Sequence, residues 1–126
     1  MLDVQQARSL ANPAASANAN SASIDLGPSG GSFIQHGQLR FDIPAMPNLA
    51  AGETLTLTIQ DSADNSSFAS AVGYSTIVIT GQAGGSPAQT IRRPIATGLR
   101  RYVRFNSARG TGGNVTAQSV TFGLEL

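Results

Sequence analysis

A strict alternation of apolar and polar residues from Thr54 to Gln60 constrains the fold of this chain more than any other feature. One face carries Leu55, Leu57 and Ile59, and the other carries threonines and a glutamine. A period of two predicts a half-buried β-strand, and threonine suits the solvent face of such a strand. Turn-forming polar residues follow at 61–67, and we expect Phe68 to return toward the core. The stretch therefore predicts the central hairpin of an all-β domain.

Similar strand patterns recur along the chain between clusters of Gly, Pro and Asn. They predict strands at 23–26, 38–43, 75–80, 89–95, 99–106 and 115–126, with a Gly-rich turn at 107–114. The expected core faces consist of Leu39, Phe41, Ile43, Leu99, Val103, Phe105, Val120, Phe122, Leu124 and Leu126. Pro94 cannot donate to a central ladder, so its strand is expected at a sheet edge. About eight short strands in 126 residues predict one jelly-roll-like β-sandwich, although the strand order does not follow from the sequence.

The first 23 residues differ from the predicted β-sandwich of residues 24–126. Asp3 can favour the start of a short helix over 3–10, and Pro13 would stop it. Residues 14–22 are low in complexity and hold no large apolar side chain. Two interpretations stay open: a frayed terminus, or an extended arm that becomes ordered against a neighbour. The arm would bury Leu2, Val4 and Leu10.

Composition excludes several kinds of function. There is no cysteine, so disulfides, thiol catalysis and Cys-ligated metals are ruled out. No apolar run approaches the length of a membrane span, and we expect no membrane partner. The start of the chain lacks the pattern of a signal peptide, which favours assembly in the cytoplasm. The net charge of +1 gives no strong attraction to nucleic acid.

No catalytic or metal-binding constellation emerges from the residues. His36 is the only histidine, and no nucleophile-elbow sequence accompanies it. Asp61 and Asp64 lack the ligand spacing of a calcium loop, because Ala63 and Ser66 stand at key positions. Capping of the turn at 61–67 is the preferred role for these carboxylates. We therefore expect no enzyme activity and no cofactor.

All eight basic residues are arginines, and six of them lie in the last third of the chain. The set consists of Arg92, Arg93, Arg100, Arg101, Arg104 and Arg109. Three interpretations compete: binding of nucleic acid with Tyr102 as a stacking group, an ordinary solvated face, or contact with an acidic face of another protein. The near-neutral charge counts against nucleic acid. The candidate interface residues are Leu2, Val4, Leu10, Arg92, Arg93, Arg100, Arg101 and Arg104.

Three stretches resemble the capsid decoration (cement) proteins of tailed bacteriophages. They are Leu2-Asp3-Val4-Gln5-Gln6 with the Ala/Ser-rich run up to Ser23-Ile24-Asp25-Leu26-Gly27, the segment 57–64 with Phe68, and the segment 99–106 before its Gly-rich turn. These motifs are short, but they occur in the expected order along most of the chain. Asn65 stands where the family pattern suggests Gly, and the prolines of 44–52 have no counterpart.

The resemblance implies a non-enzymatic virion protein. Its partner would be the major capsid protein, and it would assemble as a dimer or trimer on the outer capsid surface in the host cytoplasm. The N-terminal arm would reach along the capsid lattice. A carbohydrate- or receptor-binding β-sandwich is the alternative, although the chain has only two tyrosines and no tryptophan for stacking on a sugar.

Overall fold

The computed structural model describes residues 2–28, 37–110 and 115–125, with side chains from residue 7 onward. Within these ranges the chain forms strands and turns. The strands are β1 (Leu2–Ala11), β2 (Asn18–Asn20), β3 (Ile24–Asp25), β4 (Gln38–Ile43), β5 (Thr54–Ser62), β6 (Ala69–Ser70), β7 (Ile77–Thr80), β8 (Gln89–Pro94), β9 (Tyr102–Arg109) and β10 (Ser119–Glu125). The fold is all-β, as the alternation predicts.

The strands form two antiparallel sheets. Sheet I has the order β1-β10-β4-β8. In sheet II, β9 and β5 are the central pair; β2 and β3 lie along the outer edge of β9, while β6 and β7 lie along the outer edge of β5. The inner faces of the two sheets enclose the core, which makes the molecule a β-sandwich.

The strand order is that of a jelly roll. Because β2 and β3 both lie along β9, they count together as the second strand of the jelly roll. Because β6 and β7 both lie along β5, they count together as the fifth. The first strand then pairs with the eighth, the second with the seventh, the third with the sixth, and the fourth with the fifth. These nested antiparallel pairs, divided between two sheets, form the two Greek keys of a jelly roll.

Three phenylalanines join the sheets at the centre of the core. Phe41 and Phe122 are directly opposite each other in sheet I, and Phe105 comes from sheet II. Their ring centroids lie 4.8 to 5.6 Å apart. All three side chains are fully buried. The predicted inward residues of β4, β9 and β10 are thus confirmed, except for Leu126, which lies outside the described residues.

One predicted boundary and one predicted core residue need correction. The Gly-rich turn at 107–114 is wrong at its start, since residues 107–109 continue β9. Ser107 and Arg109 pack inward, and the Arg109 guanidinium donates to the Thr54 carbonyl. Phe68 does not join the core; its ring lies under the guanidinium of Arg104. The edge position of the strand that ends at Pro94 is confirmed.

The possible helix over 3–10 is wrong, because these residues form β1. This strand pairs with β10, with a register shift between Leu2 and Ala7. An isolated helix of this length is only marginally stable. As an edge strand, the segment instead forms backbone hydrogen bonds with β10. Asn18–Asn20 likewise pairs with β9. Both strands of the expected arm therefore belong to the two sheets, and the boundary at residue 23 stays a prediction.

The turn after β5 is closed by side chains, as its composition predicts. One oxygen of Asp64 accepts hydrogen bonds from the Ser62 hydroxyl and from the backbone N–H groups of Ser66 and Ser67. These bonds lower the pKa of Asp64 to about 2. Asn65 adopts a left-handed conformation with φ of 60°, which Asn tolerates better than most residues. This explains how Asn replaces the expected Gly.

Candidate functional site

The arginines predicted to act together do not share one face of the sandwich. Arg92 and Arg93 belong to β8 of sheet I, whereas Arg100, Arg101 and Arg104 lie in or just before β9 of sheet II. Arg109 is buried between the sheets. The sequence order groups these residues, but the topology separates them into two clusters.

The first cluster is an ion network across the outer face of sheet I. Arg92 donates to Glu125 (Nε to Oε1, 2.6 Å), and Arg40 donates to the other oxygen of the same carboxylate (2.9 Å). Arg40 also donates to Asp42 at 2.8 Å, and the Thr90 hydroxyl does so at 3.1 Å. The hydrogen bond from Arg92, followed by that from Arg40, lowers the pKa of Glu125 to about 2. With two cations and two anions, this network is neutral.

A shallow depression of about 560 Å³ lies beside this network. Its walls come from the end of β4, the start of β8 and the start of β10. The lining residues are Asp42, Ile43, Pro44, Ala88, Gln89, Thr90, Ser119 and Thr121. Hydroxyl, amide and carboxylate groups share the lining with the apolar side chains of Ile43, Pro44 and Ala88, and the lining contains no aromatic ring.

The second cluster contains Arg100, Arg101 and Arg104, and Arg100 connects it to the end of β5. Its backbone N–H and its Nε donate to the two carboxylate oxygens of Asp61, at 3.0 and 3.1 Å. Its Nη2 donates both to this carboxylate (2.8 Å) and to the Asp61 carbonyl (2.9 Å). Asp61 is buried. The carboxylate that sequence inspection tests for chemistry is therefore used to position the start of β9.

Arginine and aromatic side chains alternate on the outer face next to Arg100. Arg101 forms a two-point ion pair with Asp25 (2.8 and 2.9 Å), and its guanidinium lies 5.1 Å from the centre of the Tyr102 ring. Arg104 donates to Gln60 and lies 4.0 Å from the centre of the Phe68 ring. We call Gln60, Phe68, Arg101, Tyr102 and Arg104 the arginine–aromatic corner. Arg and aromatic residues are enriched in protein interfaces.

Among the remaining candidate residues, Leu10 and Arg93 do not join either cluster. Leu10 packs against the core of its own chain, and Leu2 and Val4 occupy backbone positions in β1. The Arg93 guanidinium donates to the Arg92 carbonyl. His36 lies outside the described residues. The interface role predicted for Leu2, Val4, Leu10 and Arg93 stays a prediction.

Within the described ranges, no group of three or more Asp, Glu or His residues is arranged to hold a metal ion. Asp61 and Asp64 bind protein donors, as described above. In the same ranges, no helix is long and apolar enough to cross a membrane.

Sequence reasoning misses three site features. Glu125 and Arg40 were not candidates, because their contact depends on β10 lying beside β4, and the strand order was unknown. The pair of Phe68 with Arg104 was missed because Phe68 was expected in the core. Alternation does place Arg40 and Asp42 on an outer face, and this signal becomes useful once the neighbouring strands are known.

The comparisons with known proteins show limited similarity. No protein-family model and no curated protein matches the sequence. Among solved structures, the enzymatically active domain of tailspike protein 4 of bacteriophage CBA120 is similar, with 13% identity and a TM-score of 0.44. Arabinosyltransferase EmbB from Mycobacterium smegmatis is similar at 13% identity and a TM-score of 0.43. These matches cover 93% and 94% of this chain, but the chain spans only 14% and 12% of those proteins.

Proposed function

We propose that this chain is a non-enzymatic structural protein of a tailed-phage virion that binds the outer surface of the capsid and bridges major capsid proteins. Its partners are the major capsid protein and further copies of itself, in a dimer or trimer. One observation carries the proposal. Two of the three stretches that resemble decoration proteins, 57–68 and 99–106, lie side by side in the fold.

Contacts between these two stretches build a single surface. Arg100 binds Asp61, Arg104 binds Gln60, and Phe68 lies under Arg104. The arginine–aromatic corner contains residues from both stretches, and all five of its side chains are partly exposed. Motifs that are far apart in sequence thus contribute to one exposed corner, as expected of a shared binding surface.

The chemistry of the surface supports a role in packing against protein. The ion pairs on both faces leave little net charge to attract nucleic acid. A jelly roll is an architecture of viral capsid proteins and of lectins. A small interface that is repeated many times over a capsid gains strength by avidity.

The proposal is tested by co-sedimentation with expanded, decoration-free heads of the phage that encodes the chain. We expect the double variant Arg101→Ala/Arg104→Ala to lose most binding, because it removes both cations of the corner. Arg92→Ala is the matched control, since it removes an arginine of similar exposure from the opposite face. Failure of the unchanged protein to bind heads would overturn the proposed function. Loss of binding only in the control would move the contact to sheet I.

Carbohydrate or receptor binding is the second candidate, favoured by the hydroxyl-lined depression beside Asp42. Its lining lacks the aromatic ring that sugars commonly stack upon. Tyr74 packs against the core and is not part of this lining; its hydroxyl bridges the Pro94 carbonyl and the Ala96 N–H. A glycan array distinguishes the candidates: binding that Thr121→Ala abolishes would favour the depression and the second function.

A further inference from the structure

The charged residues leave one long gap in the sequence, with no Asp, Glu, Lys or Arg from 65 to 91. This gap contains β6 and β7, which form the outer edge of sheet II beside β5. The large hydrophobic side chains that are exposed in the described ranges also lie there. They are Val72, at 92% exposed, and Val78, at 53%.

The two sheet edges on this side of the sandwich differ in their protection. The β8 edge of sheet I carries Arg92, the inward-facing position of Arg93, and Pro94. Charges and prolines of this kind prevent an edge from pairing with another chain. The β7 edge has neither, and Ser75–Thr80 is a run of β-branched and hydroxyl residues. Such an unprotected edge is suited to pairing.

The hydrogen-bond pattern shows which groups of β7 face outward. At the end of the β5–β7 pair, the Gly81 N–H donates to the Glu53 carbonyl. Residues exchange backbone hydrogen bonds at every second position of an antiparallel pair. The N–H and C=O groups of Ile79 and Ile77 therefore point toward β5. On the other side of β5, the Thr54 carbonyl accepts a hydrogen bond from the N–H of Gly110, just after β9, which agrees with this alternation. The N–H and C=O groups of Val78 and Thr80 therefore point to the edge, where no described strand pairs with them.

The sequence around Val78 reads the same in both directions, Thr76-Ile77-Val78-Ile79-Thr80. In an antiparallel pair of two copies centred on Val78, each Val78 meets its own equivalent and Thr76 meets Thr80. A two-fold interface requires this self-complementarity. Thr–Thr pairs and pairs of β-branched residues are favourable across strands. The centre of symmetry also falls on a residue whose backbone groups face outward.

We propose that two copies of this chain pair through their β7 edges, antiparallel and centred on Val78, so that two copies of sheet II become one continuous sheet. The proposed function leaves the contact between copies open, and this inference specifies it without depending on capsid binding. One strand pair gives a small interface, so the dissociation constant is expected at about the micromolar level.

Sedimentation velocity on the purified chain over a range of concentrations tests the proposal. We expect a monomer–dimer equilibrium, which Val78→Lys weakens by about 100-fold because it places two like charges directly opposite each other. Ser119→Lys is the control, with the same charge at an exposed strand position of sheet I. Circular dichroism checks that both variants fold. A monomer up to several hundred micromolar, a trimer, or a dimer that Val78→Lys leaves unchanged would overturn the proposal.

Single cysteines test the register, because the natural chain has none. Val78→Cys places two thiols about 5.5 Å apart at their Cα atoms, within disulfide range, and mild oxidation with diamide should link the copies. Thr80→Cys places them about 13 Å apart, four residues out of register, and should not link. Equal linkage of both variants, or linkage of Thr80→Cys alone, would overturn the pairing centred on Val78. This assay needs no capsid, so the proposed function and the dimer can fail separately.

Discussion

Phe41 and Phe105 meet edge to face across the two sheets, with their ring centroids 5.5 Å apart and their planes at 83°. Each ring is fully buried, and Phe122 contacts both. Aromatic pairs in this geometry add to the stabilisation from burial alone. The contact between sheets thus depends on a residue from each.

Replacement of Phe105 by Ala should therefore remove a main contact between the sheets. We expect Phe105→Ala to lower the free energy of unfolding by about 3–5 kcal/mol, because it leaves a large cavity in a packed core. Urea denaturation measures this change. Phe68→Ala is the comparison, since that ring lies at the surface under Arg104. Similar losses for the two variants would show that the central cluster has no special role.

Removal of residues 1–23 should damage the sandwich rather than release an unattached arm. The deletion takes away β1, an edge strand of sheet I, and β2, which pairs with β9. It also removes Asn12, whose buried amide donates to the Val115 carbonyl. We expect the truncated chain to unfold at a markedly lower temperature or to lose its cooperative transition. An unchanged melting curve would show that the arm is dispensable for folding.

Two glycines give a matched test of close packing. A Cβ atom at Gly81 would overlap the backbone carbonyls of Leu49 and Ala50, whereas one at Gly98 would meet no atom within 4 Å. We expect Gly81→Ala to cost about 1–3 kcal/mol of stability from overpacking. Gly98→Ala should be neutral or slightly stabilising, because it restricts the unfolded chain. Thermal denaturation of both variants measures the difference, and equal effects would contradict the close approach at Gly81.

Acid should destabilise the fold by protonating three carboxylates that form ion pairs or hydrogen bonds. The pKa values of Glu125, Asp25 and Asp64 are lowered to about 2, from ordinary values of 4.5 for Glu and 3.8 for Asp. Since the folded-state pKa values lie below the unfolded ones, this stabilisation is present above about pH 4.5 and is lost as the pH falls toward 2. Melting temperature against pH should thus be flat near neutrality and decline below about pH 4.5.

Glu125→Gln tests the largest network directly. The amide cannot ionise, so the variant should be less stable at neutral pH and should show a shallower decline between pH 4.5 and 2. Because the partners are partly exposed, water and salt reduce the size of the effect. Parallel curves for the two proteins over this range would exclude Glu125 as a contributor.

The sequence predicts which segments form strands better than it predicts which strands pair with each other. Alternation identifies the inward faces of β4, β5, β9 and β10, because each strand has one buried face and one face toward solvent. It fails for β1, whose polar residues read as a short helix until β10 supplies backbone partners. The candidate site depends on such non-local pairing: Arg92 and Arg40 meet at Glu125 only because β4 lies between β8 and β10. The Arg100–Asp61 pair likewise requires β5 and β9 to be neighbours.

The nested strand order has a consequence for the time course of folding. β10 lies in the interior of sheet I, between β1 and β4, yet it comes last along the chain among the described strands. Until β10 is synthesised, β4 can pair only with β8 in sheet I, and β1 must wait for a partner more than a hundred residues away. Contacts so distant in sequence slow folding. We conclude that sheet I can close only once β10 has been synthesised.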